Sequence, residues 1–238
     1  MTVQLQHPPH HSPPATPAGV LLHHPAIIVM IMAASLTLAI LAMVDGGSVL
    51  LIWDEPIQRW VEDHRTSELD SLFRVFSRFG SNVFLFLILV PLFGLLYPRC
   101  HAMALTLLIS VFARPPIEFV IKDLIGRDRP DLDPMVDGVG FSHPSGHVLA
   151  AVTMWGLLPP IVTSLTHRHW WWYVSAGAGT ILIPMIAASR VYLGVHWFSD
   201  VVQSFLMGSL YLLAVEMVLD WHHRRLPTCV ANQHLYDE

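Results

Sequence analysis

The sequence predicts an all-α polytopic membrane protein: a bundle of about six transmembrane helices, with an amphipathic surface helix between spans one and two. Three observations predict it. Residues are 53% hydrophobic and only 13% charged, about half the ~25% charge of soluble domains. Apolar blocks recur at the ~20-residue length that crosses a bilayer core as helix. The chain has 8 Trp, several at the edges of those blocks, where membrane interfaces place aromatic belts. Only helices or closed barrels satisfy backbone polar groups in lipid, and blocks of this length are helical. A net charge of -5 gives a nucleic-acid partner no support. Two cysteines make no disulfide framework.

Each element follows in order. Residues 1–25 are rich in His and Pro and read as a disordered tail. The start has no Lys or Arg, so it does not read as a secretory signal peptide. Residues 26–44 carry no charge and form the first span. Residues 54–80 are charged, but Leu69, Leu72, Phe73 and Phe76 recur at helical spacing, which predicts one amphipathic helix on the membrane surface. Its Arg59, Arg65, Arg74 and Arg78 read as a solvated or headgroup-facing side. Spans two and three cover 82–97 and 101–121, with Pro115 and Pro116 expected to kink the third. Arg114, Glu118 and Lys122 are four apart and share one helix face; Arg114 and Glu118 read as a structural ion pair, since charges within spans usually face the bundle and pair. Residues 122–143 form a polar loop whose four Asp after Arg127 read as turn residues without the fixed spacing of a metal site. Spans four to six cover 147–166, 170–189 and 199–220. The expected organisation is one membrane domain over 26–221 and a short tail over 222–238.

With six spans, the ends of spans three and five and the starts of spans four and six lie at one membrane face. Three polar clusters fall there: Lys122 with Arg129-Pro130; Pro144-Ser145-Gly146-His147; and Ser189-Arg190 with His196 and Asp200. Lys122, Arg129 and Arg190 are fixed cations, and the Arg fork matches phosphate oxygens. Ser145 and Gly146 start a helix, where free N–H groups and the positive dipole end attract anions. Asp200 lies four residues after His196, on the same helical face. A carboxylate on one imidazole nitrogen fixes the tautomer and leaves the other as a nucleophile. His147 can then protonate the leaving oxygen as general acid. Phosphoryl transfer needs mainly positioning and charge stabilisation, which these groups supply without metal or cofactor. By themselves, His143, His167, His169, His222 and His223 read as interfacial.

The pattern Lys-x6-Arg-Pro, Pro-Ser-Gly-His and Ser-Arg-x5-His-x3-Asp resembles the type 2 phosphatidic acid phosphatase (PAP2) superfamily, which includes lipid phosphatases and vanadium-dependent haloperoxidases. All three motifs match without a gap, and the resemblance covers residues from about 55 to 220. It implies magnesium-independent hydrolysis through a phosphohistidine on His196, with His147 as acid. Lys122, Arg129, Ser145, Gly146 and Arg190 would bind phosphate, and Pro130, Pro144 and Ser189 would support them. The basic residues flanking the spans leave orientation open once those assigned to chemistry are set aside. The resemblance implies a multi-pass protein of the plasma membrane, with the site on the extracytoplasmic face and both termini cytoplasmic.

The expected substrate is a lipid phosphate lying in the bilayer: a polyprenyl pyrophosphate, with a phosphatidate or phosphatidylglycerophosphate as the alternative. The motifs read phosphate, not tail. A haloperoxidase-like enzyme and a non-catalytic lipid transporter are the competing classes, and the oligomeric state is open.

Overall fold

The computed structural model describes residues 51–131 and 134–225, with side chains to Leu219. Among these residues there are seven α-helices, one short 3-10 turn at Leu51–Trp53 and no strand. The expected first span, 26–44, the His/Pro-rich tail and residues 226–238 lie outside them.

Residues 54–80 form two helices rather than one: α1, Asp54–Asp63, and α2, Ser67–Arg78. The break has a local cause. The extended Thr66 caps α2, its side chain accepting from the backbone N–H of Leu69 at 3.3 Å, a bond that starts a new helix. Nor is α1 a passive surface element. Asp54, Gln58 and Val61 recur along one face and are all buried, and two of the three are polar, so that face must find specific partners.

The expected second span, 82–97, is α3, Asn82–Leu96, capped by Ser81. Its 15 residues rise about 22 Å, less than the ~30 Å hydrocarbon core. With α2, bent from it by 42°, it has the length and composition of one broken span or of a re-entrant pair. The next helices are α4 (His101–Ile125), α5 (Gly146–Thr166), α6 (Trp170–Tyr192) and α7 (Phe198–Arg225). Each of these four is long and apolar enough to cross a membrane; the bent pair would make five. The α4 helix continues through Pro115-Pro116 as one element and ends where Gly126 turns left-handed at φ 61°, its N–H bonding the Lys122 carbonyl.

The helix at the centre is α5: its apolar window is 72% buried, against 28–33% for the other three. Small residues let neighbours close on it. A Cβ on Gly208 of α7 would meet Val152, and one on Gly179 of α6 would meet the Trp155 carbonyl, the close approach that packs helices in lipid, where no hydrophobic force draws them together. Outward-facing Val83, Leu87, Val90, Ile109 and Phe119 of α3 and α4 are exposed, as a lipid-facing surface requires. This arrangement puts the end of α4, the start of α5, the end of α6 and the start of α7 at one end of the bundle, with α1 and α2 packed beside them.

Candidate active site

The turn between α6 and α7 sets the first imidazole. Gly194 adopts φ 75°, a conformation that glycine reaches without cost. The Arg190 carbonyl then accepts from both Val195 and His196 N–H, and Gln58 of α1 donates to the His196 carbonyl at 2.9 Å. His196 is buried, and its Nδ1 lies 3.8 Å from Asp200 Oδ2, longer than a hydrogen bond but ready to tighten when charge develops on the ring. Its Nε2 makes no hydrogen bond among the described residues.

Asp200 is fully buried and held from several sides. Oδ2 accepts from Trp197 N–H at 3.0 Å. Oδ1 accepts from Arg127 Nη1 and lies 3.5 Å from His143 Nδ1. Arg127 also donates to Ser199 Oγ and, at 2.6 Å, to Asp54 Oδ2. Asp54 in turn accepts from both the N–H and hydroxyl of Ser199. One guanidinium thus joins two buried carboxylates, and the polar face of α1 is spent on holding the start of α7. Buried charges persist only with such pairing.

His147, in the first turn of α5, and Arg190, in the last turn of α6, line one cavity of about 310 Å³ with Arg74, Ser77, Arg78, Ser81 and Asp137. Arg190 Nη1 donates to Ser77 Oγ at 2.5 Å, while its Nε is buried without a partner among the described residues. The charges of Arg190, His196 and Lys122 all act on His147, and those of Asp200, Arg190 and Arg129 act on His196. The three sequence clusters therefore share one electrostatic neighbourhood.

Individual roles diverge from the simplest expectation. Arg129 donates from Nε to Gly140, from Nη1 to Val195, and from Nη2 to Val139 and Phe141, all carbonyls. That leaves one guanidinium N–H for a phosphate, and Arg129 first of all ties the polar loop to the His196 turn. Lys122 Nζ lies 3.2 Å from Glu118 Oε1, and Glu118 also binds Arg114 at 2.8 Å. The expected Arg114–Glu118 pair is present. Arg114 also reaches the Gly146 carbonyl and Asn82. Glu118 packs where a Gly146 side chain would stand, so a larger residue there would displace the acidic partner of both cations. Ser145 donates its N–H to Ser204 Oγ at 2.6 Å, and Ser204 bonds the Asp200 carbonyl, linking the α5 start to the first turns of α7, which carry Asp200. The Ser145 hydroxyl is buried without a partner among the described residues. Pro130 and Pro144 are buried, and Ser189 bonds its own helix at Ile186.

One reading needs correction. His143 is not interfacial: it is 1% exposed and faces Asp200, because the loop before α5 folds inward. Arg74 and Arg78 are exposed, as a solvated side requires, and also line the mouth of the cavity. Asp54, Gln58 and Arg127 carry no local sequence signal; their partners lie 72–145 residues away.

Burial pushes the His196 pKa down to about 4, assisted by Arg190 and Arg129 and opposed by Asp200. Its ring is therefore neutral, the form that can attack, at any pH above about 4. The acid limb of kcat/KM is expected near pH 4 rather than near ~6.5, the ordinary histidine value. Unfolded His196 binds a proton below ~6.5 while the folded ring stays neutral, so its contribution favours folding at neutral pH and is lost as pH falls from ~6.5 to about 4. A pH–rate profile beside pH-dependent melting checks both; an acid limb near 6.5 would contradict this assignment.

Similarity to known proteins follows the same geometry. The model of the PAP2 superfamily matches residues 100–224. The chain is 29% identical over 168 residues to phosphatidylglycerophosphatase B of Bacillus subtilis, covering 68% of this chain and 81% of that protein. It is 27% identical over 184 residues to undecaprenyl-diphosphatase of Sulfolobus acidocaldarius, covering 73% and 82%. The crystal structure of a transmembrane PAP2-type phosphatidylglycerolphosphate phosphatase from B. subtilis superposes with a TM-score of 0.75 at 23% identity, over 84% of this chain and 98% of that one.

Proposed function

Because the chain belongs to the PAP2 superfamily, and its phosphatase homologues mark it as a membrane hydrolase acting on phosphorylated lipids, we propose that it removes the terminal phosphate of a polyprenyl pyrophosphate through a phosphohistidine on His196. The observation that carries this reading is the buried Asp200–His196 pair set beside a cavity walled by His147 and Arg190.

Both half-reactions follow from these groups. His196 Nε2 attacks phosphorus, and the bond from phosphorus to the bridging oxygen breaks. The electron pair stays on that oxygen, which takes a proton from His147. Asp200 stabilises the positive charge that the ring acquires. Water then attacks the phosphohistidine, giving its proton to His147; the P–N bond breaks and inorganic phosphate leaves. Arg190, Lys122, the remaining Arg129 N–H, the Ser145 hydroxyl and the Gly146 N–H face the charge that grows on the phosphoryl oxygens.

A polyprenyl pyrophosphate is favoured by the similarity to undecaprenyl-diphosphatase, and phosphatidylglycerophosphate, the second reading, by the similarity to the B. subtilis protein. The protein would sit in the plasma membrane with the site on the extracytoplasmic face and both termini in the cytoplasm. A lipid panel in detergent, scored by released phosphate, tests the proposal: a polyprenyl pyrophosphate should be the preferred substrate, with phosphatidylglycerophosphate and phosphatidate slower. Release no greater than from the His196→Ala variant for every lipid would end the enzyme reading; preference for phosphatidylglycerophosphate would replace the substrate.

A further inference from the structure

Two cations at the cavity mouth have no part in the transfer just described. Arg74, Ser77 and Arg78 of α2 line the cavity together, at the i, i+3, i+4 spacing that makes one helix face. Like charges four apart on a helix repel, so this placement costs stability unless an anion lies between them. Among the described residues, no carboxylate forms an ion pair with Arg74 or Arg78. Glu55 pairs with Arg59, Asp54 and Asp200 with Arg127, and Glu118 with Arg114 and Lys122. Asp137, the one carboxylate in the cavity lining, forms no ion pair with either arginine among the described residues. Ser77, between the two arginines in sequence, accepts from Arg190, which ties this face of α2 to a guanidinium of the transfer site. A cavity of about 310 Å³ falls at the lower end of the ~300–1,000 Å³ that small-molecule sites occupy and is roomy for one phosphate alone.

We infer that Arg74 and Arg78 form a second anion subsite, which binds a second phosphate of the lipid while the first is transferred to His196. The inference rests on the phosphatase reading and narrows it to lipids bearing two phosphates. For a pyrophosphate, the P–O bond to the terminal phosphorus breaks and its electron pair stays on the bridging oxygen. That oxygen, protonated by His147, then belongs to the departing lipid monophosphate, whose remaining negative charge faces Arg74 and Arg78. Two arginine forks bind such a group with directional, charge-assisted bonds. A lipid with a single phosphate leaves the subsite without an anion.

The test uses the full chain in detergent micelles, with farnesyl diphosphate and farnesyl monophosphate as matched probes. The Arg74→Ala/Arg78→Ala variant should lose roughly 10- to 100-fold in kcat/KM on the diphosphate, as two charge-assisted contacts are removed, and change little on the monophosphate. Arg74→Lys/Arg78→Lys should recover part of the loss. Equal losses on both probes, or none on the diphosphate, would overturn the subsite. Equilibrium binding of methylenediphosphonate against inorganic phosphate separates this result from the phosphatase reading. If neither lipid turns over, that reading fails; the subsite then stands if the double alanine variant loses the tighter binding of methylenediphosphonate, and falls if the ratio of the two affinities is unchanged.

Discussion

Replacing His196 with alanine is expected to lower kcat by roughly 10⁴-fold or more, the scale on which hydrolases lose rate when the nucleophile is removed. The effect should fall on kcat more than on KM, because the cations that hold phosphate remain. His196 belongs to a turn fixed by Gly194, the Arg190 carbonyl and Gln58, and its backbone contacts survive the substitution. The variant should therefore fold, and unchanged migration and a similar melting temperature in detergent would show it. Turnover within tenfold of wild type would remove His196 from the mechanism.

Asp200→Asn is expected to cost about 10³- to 10⁴-fold, by comparison with the carboxylate-to-amide change in other hydrolases that use an Asp-oriented imidazole. The amide keeps the volume and one oxygen, so Trp197 N–H or Arg127 can still bond it, but the imidazolium formed during transfer loses its counter-charge. Arg127 loses one of two carboxylates and keeps Asp54, so folding should be retained at lower stability. His143 adds a check. It faces the other oxygen of the same carboxylate at 3.5 Å, so His143→Ala should reduce rate much less than Asp200→Asn if His196 is the nucleophile. The reverse order would exchange their roles. Steady-state rates of the two variants on one lipid decide it.

The gathering of the three polar clusters at one end of the bundle was legible because chemistry and topology coincide in the sequence. Each polar cluster abuts the end of an apolar block, and alternating spans bring those ends to one face. Asp200 four residues after His196 is a local relation, although His196 stands in the turn before α7 rather than on the helical face the spacing predicts. The groups around them were not legible, because their meaning depends on distant partners. Asp54 reads as an acidic first-turn residue of a surface helix, yet it accepts two bonds from Ser199. Arg129 reads as a phosphate cation, but most of its donors meet loop carbonyls, which no side-chain pattern records. Arg74 and Arg78 share a face by spacing alone; whether that face meets solvent, lipid or a cavity is set by how α2 docks. The break at Thr66 could have been read, since Thr followed by Ser-Glu carries a helix-start signal.

A rapid-quench experiment with terminally ³²P-labelled polyprenyl pyrophosphate tests most directly whether covalent transfer occurs at this site. Label should appear on the protein within one turnover, resist base, be lost in acid, and map to the peptide containing His196. Product forming at the full rate with no labelled protein, or label on a different residue, would contradict it.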